Sequence, residues 1–198
     1  MGAVMRKKRT GGRPRDASLD AAIDEALVTL VLEQGVEETT IAEIADQAGT
    51  SRQAFYRRYP DMEHALLATL ARRFPPAAAP DTGELFDDLV ALQEEEVAML
   101  NDPFFHAAFP TLMMLAVRQP APGEGLGDHV VAPRRARVQA IIDRASARGE
   151  VTGDIDVSVI CDILLGSLLP TAFMGGGRAL TSDDARRSAI AALAAARA

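Results

Sequence analysis

Cysteine, aromatic residues and long apolar runs are all scarce in this chain of 198 residues. Cys161 is the lone cysteine, so no intrachain disulfide can form and zinc sites built on two or four cysteines are excluded. That usage fits a reducing cytoplasm. The longest apolar run, 157–174, is interrupted by Asp162, Gly166 and Pro170 and falls short of the roughly 20 clean residues a membrane span needs. Residues 1–18 are basic but lack the apolar stretch of a signal peptide. No stretch of four or more residues alternates convincingly as a strand, and no internal repeat is present. With few aromatics and an excess of Ala, Leu, Arg and Glu, the composition leans to helix. The length allows one large domain, or a small domain fused to a medium one.

Two segments of residues 1–60 are basic and hold no acid. Residues 1–15 hold six basic side chains and no acid, and residues 47–60 hold Arg52, Arg57 and Arg58, again with no acid. The net charge of −7 lies entirely in 61–198, while 1–60 sums to zero. A protein that binds polyanion at one end and avoids it at the other has this pattern.

Apolar residues at three- and four-residue spacing (Leu19, Ala22, Ile23, Ala26, Leu27, Leu30, Val31) predict a first amphipathic helix stopped by Gly35. Thr40-Ile-Ala-Glu43 is a capping box opening a second helix that runs to about Ala48. Gly49 supplies a turn, and Thr50 or Ser51 caps a third helix over Arg52–Arg58. Pro60 breaks it, and Asp61 caps a fourth helix, with Leu66, Leu67, Leu70, Ala71 and Phe74 on one stripe. Two short helices around a three-residue turn with Gly form a helix-turn-helix. The Pro/Ala stretch 75–80 is a candidate hinge. Five more helices are expected at about 82–101, 103–118, 127–148, 156–173 and 182–197, so the fold class is all-α with about nine helices.

Ile41, Ile44, Ala45, Ala48, Phe55 and Tyr59 have the spacing of a small core under the two short helices. Ser51, Arg52, Gln53, Tyr56, Arg57 and Arg58 then face outwards. Arg and Gln near the start of such a helix can reach base edges, while Ser, Tyr and the following arginines suit phosphate oxygens. A merely solvated basic face gives no reason to omit every acid from 47–60.

The stretch Thr40 to Leu66 resembles the TetR/AcrR regulators, whose signature joins an Ile-Ala pair, Ala-Gly, a Ser, a Tyr, an aromatic, and Glu two residues before Ala-Leu. The match is close over about 27 residues. It departs at Met62, where the family usually carries Lys, and at Ala54, where it carries a small hydroxyl residue; neighbouring arginines are left to supply those phosphate contacts. The resemblance implies a cytoplasmic, nucleoid-associated, homodimeric repressor, released from a palindromic double-stranded operator by a small-molecule effector. It organises the chain as a basic arm (1–18), a helix-turn-helix domain (19–62), a connecting helix and hinge (63–80), and a ligand-binding and dimerisation domain (81–198). The DNA-contacting set is Thr40, Ser51, Arg52, Gln53, Tyr56, Arg57 and Arg58. The arm, with its Gly-Arg-Pro core, is either a minor-groove reader or a solubilising tail.

Catalytic, metal and cofactor sites are not expected. His64, His106 and His129 fall on three different helices without a paired ligand at i+4, and His64 reads as a surface residue of helix four. Gly175-Gly176-Gly177 reads as a helix stop, Glu94-Glu95-Glu96 as a solvated face and Cys161 as inert core. Helices 156–173 and 182–197 are apolar enough to need a second subunit, which makes them the expected dimer interface. A ligand pocket is expected between helices 82–101 and 103–118, lined by Phe86, Leu89 and Gln93 on one and by Phe105, His106, Phe109 and Met113 on the other. Its mostly apolar lining suits an apolar or aromatic molecule. Two rival classes are a helical enzyme or carrier using the basic face for an anionic cofactor, and an architectural DNA binder without a ligand.

Overall fold

The computed structural model describes residues 17–75, 77–118, 127–174 and 178–197. The Gly175–Gly177 stop and all but the last two residues of the basic arm lie outside them. Among the described residues every regular element is helical.

Helix α1 (Ala17–Gln34) buries Ile23, Ala26, Leu27, Leu30 and Val31, as its periodicity predicts. Helix α2 (Ile41–Gln47) opens with the Thr40–Glu43 capping box, and α3 (Arg52–Tyr56) is capped by Ser51 Oγ, which accepts from the Ala54 amide at 3.1 Å. Between them Gly49 takes φ +63°, a left-handed conformation that a side chain at this position would disfavour. Helix α4 (Met62–Arg73) is capped by Asp61, whose carboxylate accepts from the His64 amide at 2.9 Å.

Helix α5 (Leu85–Leu100) starts three residues later than expected. Gly83 at φ +101° holds 81–84 as a loop, and Thr82 donates its amide and hydroxyl back to the buried carboxylate of Asp88. Helix α6 (Pro103–Arg118) carries Pro110 within it. A π-helical turn (Gly127–Val131) leads into α7 (Ala132–Arg148), where one continuous helix was expected.

The expected helix 156–173 is two: α8 (Val157–Gly166) and α9 (Leu169–Phe173). Pro170 explains the break, because it offers no amide to the carbonyl of Gly166 and its ring crowds that carbonyl. Ser167 Oγ donates to Leu164 O at 3.1 Å instead. Helix α10 (Ser182–Ala196) closes the chain.

Apolar burial does not divide where the Pro/Ala stretch does. One core joins α1–α4 to Val97 and Leu100 of α5, to Phe104, Phe105, Ala108, Phe109 and Leu112 of α6, and to Leu168 and Ala172. The other joins Leu85, Leu89 and Leu92 of α5 to α7, α8 and α10. Helix α6 thus packs with the helix-turn-helix, and α5 spans both cores. Nor are residues 77–80 loose: Ala78 O accepts from Arg137 at 3.0 Å and Pro80 O from Arg144, both on α7.

Asp184, buried in the first turn of α10, accepts from Arg178 at 2.7 and 2.8 Å, from the amide and hydroxyl of Thr181 at 2.9 Å each, and from Arg187. The Arg178 bonds, then those from Thr181 and last that from Arg187, overcome the opposing effect of burial and hold its carboxyl far below the ordinary carboxylate range. A depressed carboxylate stabilises the fold above its unfolded pKa, about 4, and loses that contribution as acid titrates through the folded value. Asp184→Asn should therefore cost about 1–2 kcal/mol at neutral pH and less at pH 2, where part of the contribution is already lost; urea unfolding at the two pH values measures the difference.

Candidate nucleic-acid interface and cavity

Thr40 and Ser51 each use the side-chain oxygen as a helix cap and lie exposed at the N-termini of the two short helices. The Thr40 hydroxyl and amide both donate to Glu43 Oε2, at 2.7 and 2.9 Å. Those two bonds, the hydroxyl's first, draw the Glu43 carboxyl below its usual value. Arg52 and Gln53 of α3 and Arg57 just beyond it stand exposed, and Tyr56 is 53% exposed. The opposite side of α3 is buried: Ala54 and Phe55 face the core, with the Phe55 ring 5.4 Å from that of Tyr59. Six of the seven expected DNA-contacting residues thus lie on the surface.

Arg58 is the exception. Its guanidinium turns inwards, pairs with Asp20 of α1, and leaves its side chain only 11% exposed. An outward Arg58 is corrected by this pairing: an unpaired carboxylate at Asp20, three-quarters buried, would be costly, and Arg58 neutralises it.

One turn along α1, Asp24 performs the same task for α4. It accepts two bonds from Arg72 and one from Thr69 Oγ1 at 2.8 Å. Arg72 also donates to the hydroxyl of buried Tyr59 at 2.8 Å and lies over its ring at 5.7 Å. Burial pushes the Tyr59 phenol up, so it stays neutral and accepts. Arg72 therefore ties α4 to the segment that follows the recognition helix.

At the far end of α4, Arg73 donates to Asp102 Oδ2 at 2.7 and 3.0 Å, while Asp102 Oδ1 caps α6 by accepting from the amides of Phe104 and Phe105. Burial raises the Asp102 pKa, but the bonds from Arg73 and those amides outweigh it and leave the carboxyl below its ordinary value.

The expected ligand pocket is not built as its spacing predicts. Leu89 and Gln93 face the core with α7, α8 and α10, and Phe86 carries the Arg186 guanidinium over its ring at 4.9 Å. Phe105 and Phe109 face the other core, stacked on each other at 4.9 Å. His106 donates through Nε2 to Ala172 O at 2.9 Å and stacks on Phe173 at 4.8 Å. Met113 is 42% exposed. Gln93 is buried and fully engaged: its amide donates to Leu164 O at 3.0 Å and Ser188 Oγ at 2.7 Å, and its oxygen accepts from Arg134 at 2.8 Å. The seven residues therefore do not share one cavity.

A cavity of about 300 Å³ does exist, between α4, α5 and α7. Leu67, Leu70, Ala71, Arg73 and Phe74 of α4 form one wall, Glu95, Glu96 and Met99 of α5 a second, and Arg134 and Arg137 of α7 a third; Phe105 is its only residue from the expected set. The helical period of α4 held the signal for this wall, but charged residues of α5 and α7 gave none, since a run such as Glu94–Glu96 reads as solvated face. Burial pushes the Cys161 thiol up, as for an inert core cysteine. Among the described residues no cluster of His, Cys, Asp or Glu could hold a metal ion, and no helix is long and apolar enough to cross a membrane.

A double-mutant cycle tests the inward Arg58. Arg58→Ala and Asp20→Ala, measured by urea unfolding singly and together, should show a coupling of about 1 kcal/mol. Additive effects would mean that the pair contributes nothing and that the guanidinium is free for phosphate.

Comparison with known proteins agrees with this architecture. The model of the bacterial regulatory proteins of the tetR family matches residues 23–69, and that of the tetracyclin repressor-like C-terminal domain matches residues 79–192. An HTH-type transcriptional regulator of Mycobacterium tuberculosis is 29% identical over 163 residues, covering 79% of each chain. YdeS of Bacillus subtilis, another HTH-type regulator, is 27% identical over 177 residues, covering 83% of this chain and 82% of its own. Among solved structures, a TetR-family transcriptional regulator of Mesorhizobium loti superposes with a TM-score of 0.67 at 22% identity, over 92% of this chain and 96% of that one. FadR of Bacillus subtilis, solved in complex with stearoyl-CoA, superposes with a TM-score of 0.63 at 15% identity, over 90% and 97%. With the helix-turn-helix at one end and the helical domain over the rest both matched, the chain belongs to the TetR family of bacterial transcriptional regulators.

Proposed function

We propose that this regulator is a homodimeric repressor that leaves a palindromic operator when a small apolar or aromatic molecule fills the cavity behind α4. The observation that carries the reading is that α4 serves two sites. Its one side walls the cavity through Leu67, Leu70 and Phe74. Its other side holds Asp24 and Tyr59 through Arg72, behind the exposed Arg52, Gln53, Tyr56 and Arg57. Material placed in the cavity displaces α4, and the displacement reaches the recognition helix through Arg72. Two recognition helices of a dimer must match half-sites about 34–36 Å apart, so a small displacement defeats simultaneous insertion.

Dimerisation through α8 and α10 is supported by what they leave uncovered: Val159 is 47% exposed and Ile190 51%, beside the exposed Ala191 and Ala194. An apolar face of that kind favours a second copy by the commonest oligomer symmetry. In the base-reading role, Arg52 and Gln53 reach base edges, while Tyr56, Arg57 and the N-termini at Thr40 and Ser51 hold phosphates.

Selection of bound fragments from genomic DNA, followed by footprinting, gives the operator. On it, Arg52→Ala should weaken specific binding by about 1–3 kcal/mol, and Arg57→Ala should weaken all sequences alike and lower the salt slope by about one unit. A folded Arg52→Ala, Tyr56→Ala double mutant with full operator affinity would refute the interface. Sedimentation should give a dimer at micromolar concentration and a monomer for Val159→Asp, Ile190→Asp; a wild-type monomer would overturn the interface. Met99→Trp should fill the cavity and abolish induction, a change that an in-cell operator–reporter assay registers.

A further inference from the structure

We propose that the cavity selects a compact, uncharged, mostly apolar molecule that offers an N–H or O–H donor to Glu96. This rests on reading the cavity as the effector site. Glu96 belongs to its wall, is only 6% exposed, and spends one carboxylate oxygen on Arg134, whose Nε lies 2.6 Å away. Its second oxygen, Oε2, is buried and has no hydrogen-bond partner. A buried acceptor left unmade is costly, and a carboxylate more so than a neutral group. A ligand donor at Glu96 Oε2 recovers that cost, which makes the missing bond a selection device rather than a defect.

The rest of the wall decides the charge. Its three arginines are already matched: Arg73 with Asp102 at 2.7 Å, Arg134 with Glu96, and Arg137 with Glu95 at 2.6 Å. An anion would have to break one of these pairs while lying against Glu95 and Glu96. A cation would meet the guanidinium groups of Arg134 and Arg137, whose side chains are only 8% and 14% exposed. A neutral donor meets neither penalty. Arg137 adds a complementary feature: Nε is buried and unpartnered, while its terminal nitrogen serves Glu95 and Ala78 O. A carbonyl on the same ligand suits it. At about 300 Å³ the cavity lies at the small end of ligand sites, too small for a long-chain acyl-CoA.

Four naphthalene probes of one size separate the possibilities: 2-naphthamide (neutral donor and acceptor), 2-acetylnaphthalene (acceptor only), 2-naphthoate (anion) and 2-naphthylmethylammonium (cation). Binding to the full-length protein is read by NMR of 13C-methyl methionine, with the Met99 signal assigned through Met99→Leu. 2-Naphthamide should shift Met99 and bind about tenfold more tightly than each of the others. In Glu96→Gln, whose carboxamide turns a donor to the ligand, the preference over 2-acetylnaphthalene should vanish or reverse while Met99 still responds. Equal binding of 2-naphthamide and 2-acetylnaphthalene at Met99 would overturn the donor rule and leave the cavity reading intact. Tighter binding of the anion or the cation would overturn the neutral rule in the same way. No response of Met99 to any probe would overturn the cavity reading itself. The wild-type series decides these outcomes alone if Glu96→Gln does not fold.

Discussion

Asp24 of α1, accepting from both Arg72 and Thr69, is the joint on which the arrangement turns. A carboxylate placed there is acceptable only while α4 keeps its arginine within reach, and Arg72 in turn needs Tyr59 to complete its contacts. The recognition helix has just five residues and could not hold its orientation by its own hydrogen bonds. It is positioned by Phe55 and Tyr59 in the core beneath it and by the two α1 carboxylates, Asp20 and Asp24, which reach Arg58 and Arg72. Acidic charge on α1 thus sets which basic groups of 47–60 remain available to a polyanion.

The same economy governs the far side of α4. Arg73 joins it to the cap of α6, and α6 inserts Phe104, Phe105 and Leu112 into the core of the helix-turn-helix. The chain's packing boundary therefore runs through α5 and not at 77–80, where Ala78 O and Pro80 O accept from arginines of α7. Motion of α4 in such a frame would be a shift of a helix packed within the core it shares with α1, α5 and α6, and not the swing of one domain about a loose linker.

Gln93 illustrates how polar residues of this interior divide into those whose bonding is complete and those whose bonding is not. It bridges α5 to α7, α8 and α10 with every polar atom engaged, which makes it a brace. Glu96, one turn further on, shares Arg134 with it but keeps an oxygen unbonded beside the cavity. Residues of similar length and polarity on one helix thus differ in whether their bonding is complete.

Local rules made much of the fold legible in the sequence. Apolar spacing located α1, α4, α6 and α10, the Thr40 box and the Ser51 and Asp61 caps located the starts of the short helices, and the gap in acidic residues over 47–60 marked the exposed face of α3. These signals span a few residues each, the range over which helical hydrogen bonding and capping act. What only the tertiary structure decided involves partners far apart in the chain. Arg58 turns inwards because Asp20 lies 38 positions away, and Gln93 is consumed by groups 71 and 95 positions away. The cavity lies where α4, α5 and α7 meet Phe105 of α6. Periodicity reports which side of a helix is apolar, but not which neighbour covers it, and that choice of neighbour decides whether a polar residue completes its bonds, as Gln93 does, or keeps an oxygen unbonded, as Glu96 does.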